Sequence, residues 1–527
     1  YVYDANGRLV KTINPAGGEI LYAYNNAGDL VSVTDALGNA TVNVYNSYGE
    51  LVKVTDPRGG ETSYTYDMNG NLTAAVNALG QTTTNTYDSL NRLISTADPG
   101  GHTVSYEYDA LGRKIKTTDA NGNTETVAYD AVGNVISVTN SAGHVDYAAV
   151  YDSMGRATSV TDAAGSTTAR VYDSVGNMTS ETNALSQTVT YSYDGAGKMV
   201  SAVDKAGKTS YSTYDGMGNL TSVTGPLGSN ITYLFNTSGQ LSKKSAANGN
   251  TVYMYNALGL LDSVRDATLA LTSYSYDAAG RVTSFTNNDG TTSYTYDANG
   301  NVLTASDSSG TITREYDALN RVTKYTDTYG NVIEYEYDVC GNLAKMVYPT
   351  GEEGVYTYDA NHNMTQSSVT DDSGTKTVTY EYNYRNQVKK AVNVDGSVVT
   401  KSYDSAGRLQ VVNDRTKTGQ YISVFIYMYD ALSRITSEMN PISGKQYNMT
   451  YDVLGRVTAR TEVNSGNGEV INEESFTYDD AGNIAPDDED IVYEYNSDNT
   501  LKRILQKYEK DGEIKYRRLV RSAYDAR

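Results

Sequence analysis

Ser63-Tyr64-Thr65-Tyr66-Asp67-Met68-Asn69-Gly70-Asn71-Leu72-Thr73-Ala74-Ala75-Val76-Asn77-Ala78-Leu79-Gly80-Gln81 decides the fold. Tyr64 and Tyr66 alternate with Ser63 and Thr65, the period-2 pattern of a strand. Asp67 through Asn71 reads as a tight reversal. The Asp side chain can accept backbone amides two residues on, and Gly70 tolerates positive φ. Leu72–Val76 is a second strand, and Asn77–Gly80 is a second turn of the same design. From Gln81 the chain climbs to the next Tyr-Asp, at Tyr87. Two turns about ten residues apart, joined by strands of roughly seven residues, make one β-hairpin per unit.

The unit recurs along the whole chain. Tyr anchors fall at Tyr3, Tyr24, Tyr45, Tyr66, Tyr87, Tyr108 and Tyr129, each 21 residues after the last. They continue from Tyr151 to Tyr358, with Phe235 in the place of one tyrosine, then loosen to Tyr382, Tyr403, Tyr429, Tyr451, Tyr478 and Tyr495. That is about 24 copies, a register that chance does not hold. Composition agrees. Among 527 residues there are 49 Tyr and 47 Gly but only 7 Pro, 4 Phe and no Trp, the skew of one unit copied many times. The fold class is therefore all-β, a tandem array of antiparallel hairpins forming one long sheet. A parallel β-helix with rungs of about 20 residues is the competing all-β reading. The paired Asp-x-x-Gly reversals and the drifting spacing suit hairpins better.

Size limits the architecture. About 48 strands at roughly 4.8 Å make a ribbon some 230 Å wide. Closed as one ring it would be about 70 Å across, too wide for side chains to fill. Such a sheet folds into sandwiches or spirals into a hollow wall. The Tyr pairs, such as Tyr22/Tyr24 and Tyr294/Tyr296, are expected in rows on one face, contributing about 0.2–1 kcal/mol per aromatic pair. Residues 1–358 read as the regular array. Residues 359–527 read as continuing repeats with longer hairpin loops, such as Thr370–Gly374 and Asn464–Gly468, with no separate effector domain. Near the end the charge segregates, with Asp487, Asp488, Glu489 and Asp490 acidic and residues 501–527 basic, and the two are expected to pair.

A net charge of −21 excludes general nucleic-acid binding, which needs a basic face. The single cysteine, Cys340, excludes an internal disulfide. No stretch is apolar for the 18 or so residues of a membrane helix. The chain begins inside a repeat without Met, so it is expected to be part of a longer protein.

Tyr106-Glu107-Tyr108-Asp109-Ala110-Leu111-Gly112-Arg113 and Tyr294-Thr295-Tyr296-Asp297-Ala298-Asn299-Gly300-Asn301-Val302 carry a family grammar. Tyr-x-Tyr-Asp-x-x-Gly-Asn/Arg-Leu followed by Thr-Asp-x-x-Gly resembles the Rhs or YD-repeat family over essentially the whole chain. The family includes bacterial Rhs and wall-associated polymorphic toxins, cocoon subunits of insecticidal toxin complexes, and the shell of animal teneurins. The resemblance implies a spiral of strands enclosing a cavity, a secreted or cell-surface location and a bacterial source. It implies as partner the protein's own C-terminal effector, beyond Arg527, held inside. The alternative is a surface adhesin that binds glycans or surface proteins. The family's closing motif, near Asp-Pro-x-Gly-Arg-Phe/Tyr, is missing from Ser522–Arg527, so its self-cleavage residues map to no position here.

Nothing in the sequence argues for an enzyme, and no catalytic, cofactor or metal residue is assigned. His102, His144 and His362 lie far apart, each at or beside a turn in an Asn-like position. Cys340 precedes Gly341 where other copies carry small or apolar residues, and reads as a repeat variant. The many Asp lack the EF-hand pattern and read as turn acceptors satisfied by backbone amides.

Overall fold

A computed structural model describes residues 1–479 apart from 16 and 227, then 482–485, 490–495, 501–510 and 513–521. The quoted stretch shows how each unit forms. Glu61–Tyr66 and Leu72–Val76 are antiparallel strands of six and five residues, slightly shorter than the sequence suggests. Ser63 faces Val76, Tyr64 faces Ala75 and Thr65 faces Ala74. The register then slips by one before Tyr66 meets Leu72. That slip is a bulge made by the turn. The Asp67 amide donates to the Asn71 carbonyl at 3.0 Å, and the Gly70 amide donates to the Asp67 carbonyl at 3.1 Å. Gly70 sits at φ +81°, the left-handed position that closes a three-residue hairpin loop. The Asp67 carboxylate accepts from the amides of Asn69 and Asn71 at 2.8 and 3.0 Å. Asn77 does the same for Leu79 and Gln81, both at 3.0 Å.

The Tyr-Asp pair joins one hairpin to the next. The Tyr66 hydroxyl donates to the Leu51 carbonyl, 15 residues back, at 2.9 Å. Tyr24 binds Leu9, Tyr276 binds Leu261 and Tyr358 binds Leu343 in the same way, at 2.7–3.0 Å. Where the unit reads Gly-Arg-Leu or Asn-Arg-Leu, the arginine adds to the lock. Arg92 pairs with its own Asp88 at 2.7 Å, and its guanidinium lies 4.9 Å from the centre of the Tyr108 ring. It also donates to the Asp109 carbonyl of the next turn at 3.1 Å. The tyrosine rows are thus held more by hydroxyl bonds and cations than by ring–ring contact. Within the rows, Tyr274–Phe285 and Phe285–Tyr294 are aromatic pairs, both at 6.4 Å.

Strand follows strand in one 45-stranded antiparallel sheet that ends at Ser475. Antiparallel pairing throughout excludes the β-helix reading. The ribbon does not close as one ring of about 70 Å. The turn between the sixth and seventh strands (Leu51–Thr55, Glu61–Tyr66) touches the turn between the twenty-ninth and thirtieth (Gly290–Tyr296, Val302–Asp307) through Asp56 and Asn299. The turn after the twelfth strand (Lys114–Thr118) touches the turn after the thirty-fifth (Glu353–Tyr358) through Asn121 and Asp359. Both steps are 23 strands, so one turn of the spiral is roughly 110 Å around and about 35 Å across. The ribbon makes two stacked coils.

The wall is hollow rather than filled. Its accessible surface is 29547 Å² for 57.1 kDa, whereas a compact protein of that mass exposes about 19,000 Å². Among the described residues the buried apolar side chains are Ala149, Val424, Val463 and Leu505, scattered rather than gathered into a core.

After residue 358 some hairpins gain length in their strands. Met364–Asp371 and Gly374–Tyr382 have eight and nine residues, so the expected loop Thr370–Gly374 shrinks to Asp372-Ser373. Ser475 is followed by a two-stranded pair and a three-stranded sheet, Ile491–Tyr495, Leu501–Lys510 and Glu513–Arg521. There Arg503 pairs with Glu494 at 2.7 Å. The acidic residues Asp487, Asp488 and Glu489, the side chains of Lys502, Lys510, Arg518 and Arg521, and Ser522–Arg527 lie outside the described residues. Among the described residues no helix is long and apolar enough to cross a membrane, the described elements being strands and turns.

Candidate functional site

Turns from both coils meet at the seam, which gathers polar side chains far apart in sequence. The Asn121 amide donates to Asp359 at 3.0 Å, and the Asn361 amide donates to Asp119 at 2.7 Å. The same Asp-x-Asn turn thus serves both sides, each Asn entering the other's carboxylate. Arg58 donates to the Tyr316 carbonyl at 3.0 Å and lies 3.4 Å from Asp297. Arg385 grips Asp146 with both terminal nitrogens, one at 3.0 Å. At the start of the seam Thr12, Ile20, Leu258, Leu260 and Ala278 line a small apolar recess of about 250 Å³.

One stretch of the seam is chemically different. Asp98 and His102 come from a turn of the first coil, and Cys340 and His362 come from two turns of the second. The His102 ring nitrogen Nδ1 lies 2.9 Å from Asp98 Oδ2. The Cys340 thiol donates to the same oxygen at 3.3 Å and lies 3.8 Å from His102 Nδ1. His362 Nε2 is 3.4 Å from Asp98 Oδ2, and its Nδ1 is 3.1 Å from the Asn342 amide. The two imidazoles meet edge to face, 5.9 Å between centres.

Electrostatics at this point favour a neutral thiol. Burial, and next the Asp98 carboxylate that accepts from it, push the Cys340 thiol up to about 11. Burial works to raise the Asp98 carboxyl as well. Donation from the His102 amide and ring and from Cys340 outweighs it and holds Asp98 below its ordinary value. A thiol held protonated by a carboxylate is a poor nucleophile, so the Cys-His contact is not an activated pair. The donor set of one thiol, two imidazoles and one carboxylate is the kind that holds a soft divalent metal.

Each of these residues lies where the sequence places it within its own unit. His102 holds the position that Asn39 and Asn123 hold in their turns. His362 holds the glycine position, at φ +64°. Their convergence is what sequence reasoning missed. His144 stays apart, its amide bound to Asn140 at 3.2 Å. The one signal available was numerical: Asp98 to Cys340 spans 242 residues, the same step as Asp119 to Asn361. That step means nothing until the length of a coil is known.

The sequence model of a family described as the teneurin YD-shell matches residues 1–126, 118–265 and 255–345, and one described as the RHS repeat matches 429–470. No curated protein sequence matches the chain. Among solved structures, the crystal structure of TcdB2-TccC3-Cdc42 matches with a TM-score of 0.67 at 12% identity, over 97% of this chain and 39% of that one. TcdB2-TccC3 matches at 0.62 and 12%, over 98% and 38%. TcdB2-TccC3 without its hypervariable C-terminal region matches at 0.54 and 12%, over 94% and 37%. The chain thus spans less than two fifths of the chains it resembles, and at such identity the likeness is one of fold.

Proposed function

Because the chain belongs to the teneurin YD-shell family, whose model matches it from residue 1 to 345, we propose that its coils wall a cavity holding an effector segment of the same protein, C-terminal to this stretch. The observation that carries this reading is the two-coil wall, whose accessible surface is far larger than a compact body of its mass would expose. A sheet of 45 strands rolled to about 35 Å across and sealed along its seam encloses more width than its own side chains fill. A structure of this fold is described without a hypervariable C-terminal region, which places a variable C-terminal part on that relative. On this reading the repeats themselves carry no reaction, and the protein works at the surface of a bacterial cell or after secretion.

Limited proteolysis of the parent protein with its natural C-terminal sequence tests the proposal. The segment after the shell should resist protease until denaturant opens the wall, while the same segment expressed alone is cut at once. Equal cleavage rates would overturn encapsulation. Binding of the intact shell to cells or glycans, with that segment fully accessible, would instead support the adhesin reading.

A further inference from the structure

We infer that Asp98, His102, Cys340 and His362 form a site for a divalent cation of the zinc class that clasps the two coils together. The chain has one cysteine and three histidines, and that cysteine and two of the histidines each lie within 3.4 Å of the Asp98 carboxylate. They arrive from three separate turns, each of them a departure from the usual residue of its unit. A repeat variant placed at random has no reason to find the others 238 to 264 residues away.

The spacing fits a metal. Donor atoms of Asp98, Cys340 and His362 all lie within 4.8 Å of one another, and His102 Nδ1 flanks both Asp98 and Cys340. Ligands of a tetrahedral zinc ion, at about 2.0–2.3 Å from the metal, stand roughly 3.3–3.7 Å apart. The Cys340–Asp98 and His362–Asp98 separations are 3.3 and 3.4 Å, and His102 Nδ1, at 2.9 Å from Asp98 and 3.8 Å from Cys340, joins them by a small shift of its ring. One thiolate, one carboxylate and two neutral imidazoles exactly balance the charge of a dication. Binding releases the thiol proton. Both imidazoles bind as neutral rings, so the proton on His102 Nδ1 shifts to Nε2 and the proton on His362 Nε2 shifts to Nδ1, which gives up its acceptance from Asn342. His102 and His362 keep side-chain exposures of 35% and 41%, so the ion has a way in. Two ligands come from each coil, so the metal closes a loop of about 240 residues, the geometry in which a clip removes most chain entropy.

The test uses the 527-residue chain and the metal ions alone. Under reducing conditions Co²⁺ should bind one to one, with a thiolate-to-cobalt charge-transfer band that Zn²⁺ abolishes, and Zn²⁺ should raise the melting temperature reversibly to chelator. Cys340→Ser should lose the band. His362→Asn places at this position the residue that Asn320 and Asn386 already tolerate, so it should fold and bind Zn²⁺ at least about 100-fold more weakly. His144→Asn should match the parent chain. Absence of the cobalt band, Zn²⁺ binding unchanged in Cys340→Ser and His362→Asn, or a melting temperature indifferent to Zn²⁺ would each overturn the clasp.

Discussion

The hydroxyl of Tyr108 donates a 2.7 Å hydrogen bond to the backbone carbonyl of Leu93, the first residue of the strand after the preceding Tyr-Asp turn. The bond crosses from one hairpin to the next. It explains the preference for tyrosine at this place, which Phe235 alone breaks among the 24 anchors. Tyr108→Phe should therefore destabilise the array by about 1 kcal/mol. Tyr106→Phe, two residues earlier on the same face, has no hydroxyl partner to lose among the described residues and should cost much less. Urea unfolding followed by hydrogen exchange in the flanking hairpins checks this. Equal losses for the two would remove the hydroxyl bond as the cause.

Leu269 occupies a turn position normally held by glycine, at φ +70°, and is 76% exposed. A β-carbon is disfavoured in that conformation, and its side chain contributes little packing in return. Leu269→Gly should raise stability by about 0.5–1 kcal/mol, measured as a higher unfolding midpoint. A lower midpoint would mean that Leu269 packs usefully after all.

The turn aspartates make the array sensitive to acid. Asp130 is held below its ordinary value, first by donation from the Asn134 side chain. Asp359 is lowered as well: burial opposes this, and donors from Asn363 and Asn121 outweigh it. A carboxyl depressed in the folded state contributes stability that is present above its unfolded value of 3.8 and is lost as pH falls through the folded value. The array should weaken progressively below about pH 4. Asp130→Asn keeps a turn that Asn77 forms elsewhere. It should flatten the acid limb of the pH–stability curve while leaving stability near neutrality almost unchanged.

The Arg385–Asp146 contact crosses the seam, and both side chains are mostly buried. A double-mutant cycle with Arg385→Ala and Asp146→Ala should give a coupling of about 1 kcal/mol, shrinking at high salt. Protease nicking at the neighbouring turns should rise in either single variant. Additive effects would show that the coils dock without this pair.

Much of the fold was legible because its causes are local. Asp67, Gly70, Asn77 and Gly80 lie within the turns they make, and Tyr66 bonds Leu51 only 15 residues away. The arginine lock was not foreseen, although Arg92 and Tyr108 are close in sequence, because which face the guanidinium takes depends on the pleat of the next strand. The seam was out of reach. Asp98, His102, Cys340 and His362 each read correctly as turn residues, and nothing in any one turn announces the others.

The sequence by itself determined the unit, its two turns and the antiparallel order of strands, since each depends on contacts made within about one repeat. The tertiary structure alone decided how wide the coil is and which turns face one another across it. A full circle of 23 strands needs a rotation of about 16° from each to the next. Small differences in twist at each hairpin add up over the whole coil. That sum appears in no local pattern, yet it places Cys340 beside Asp98.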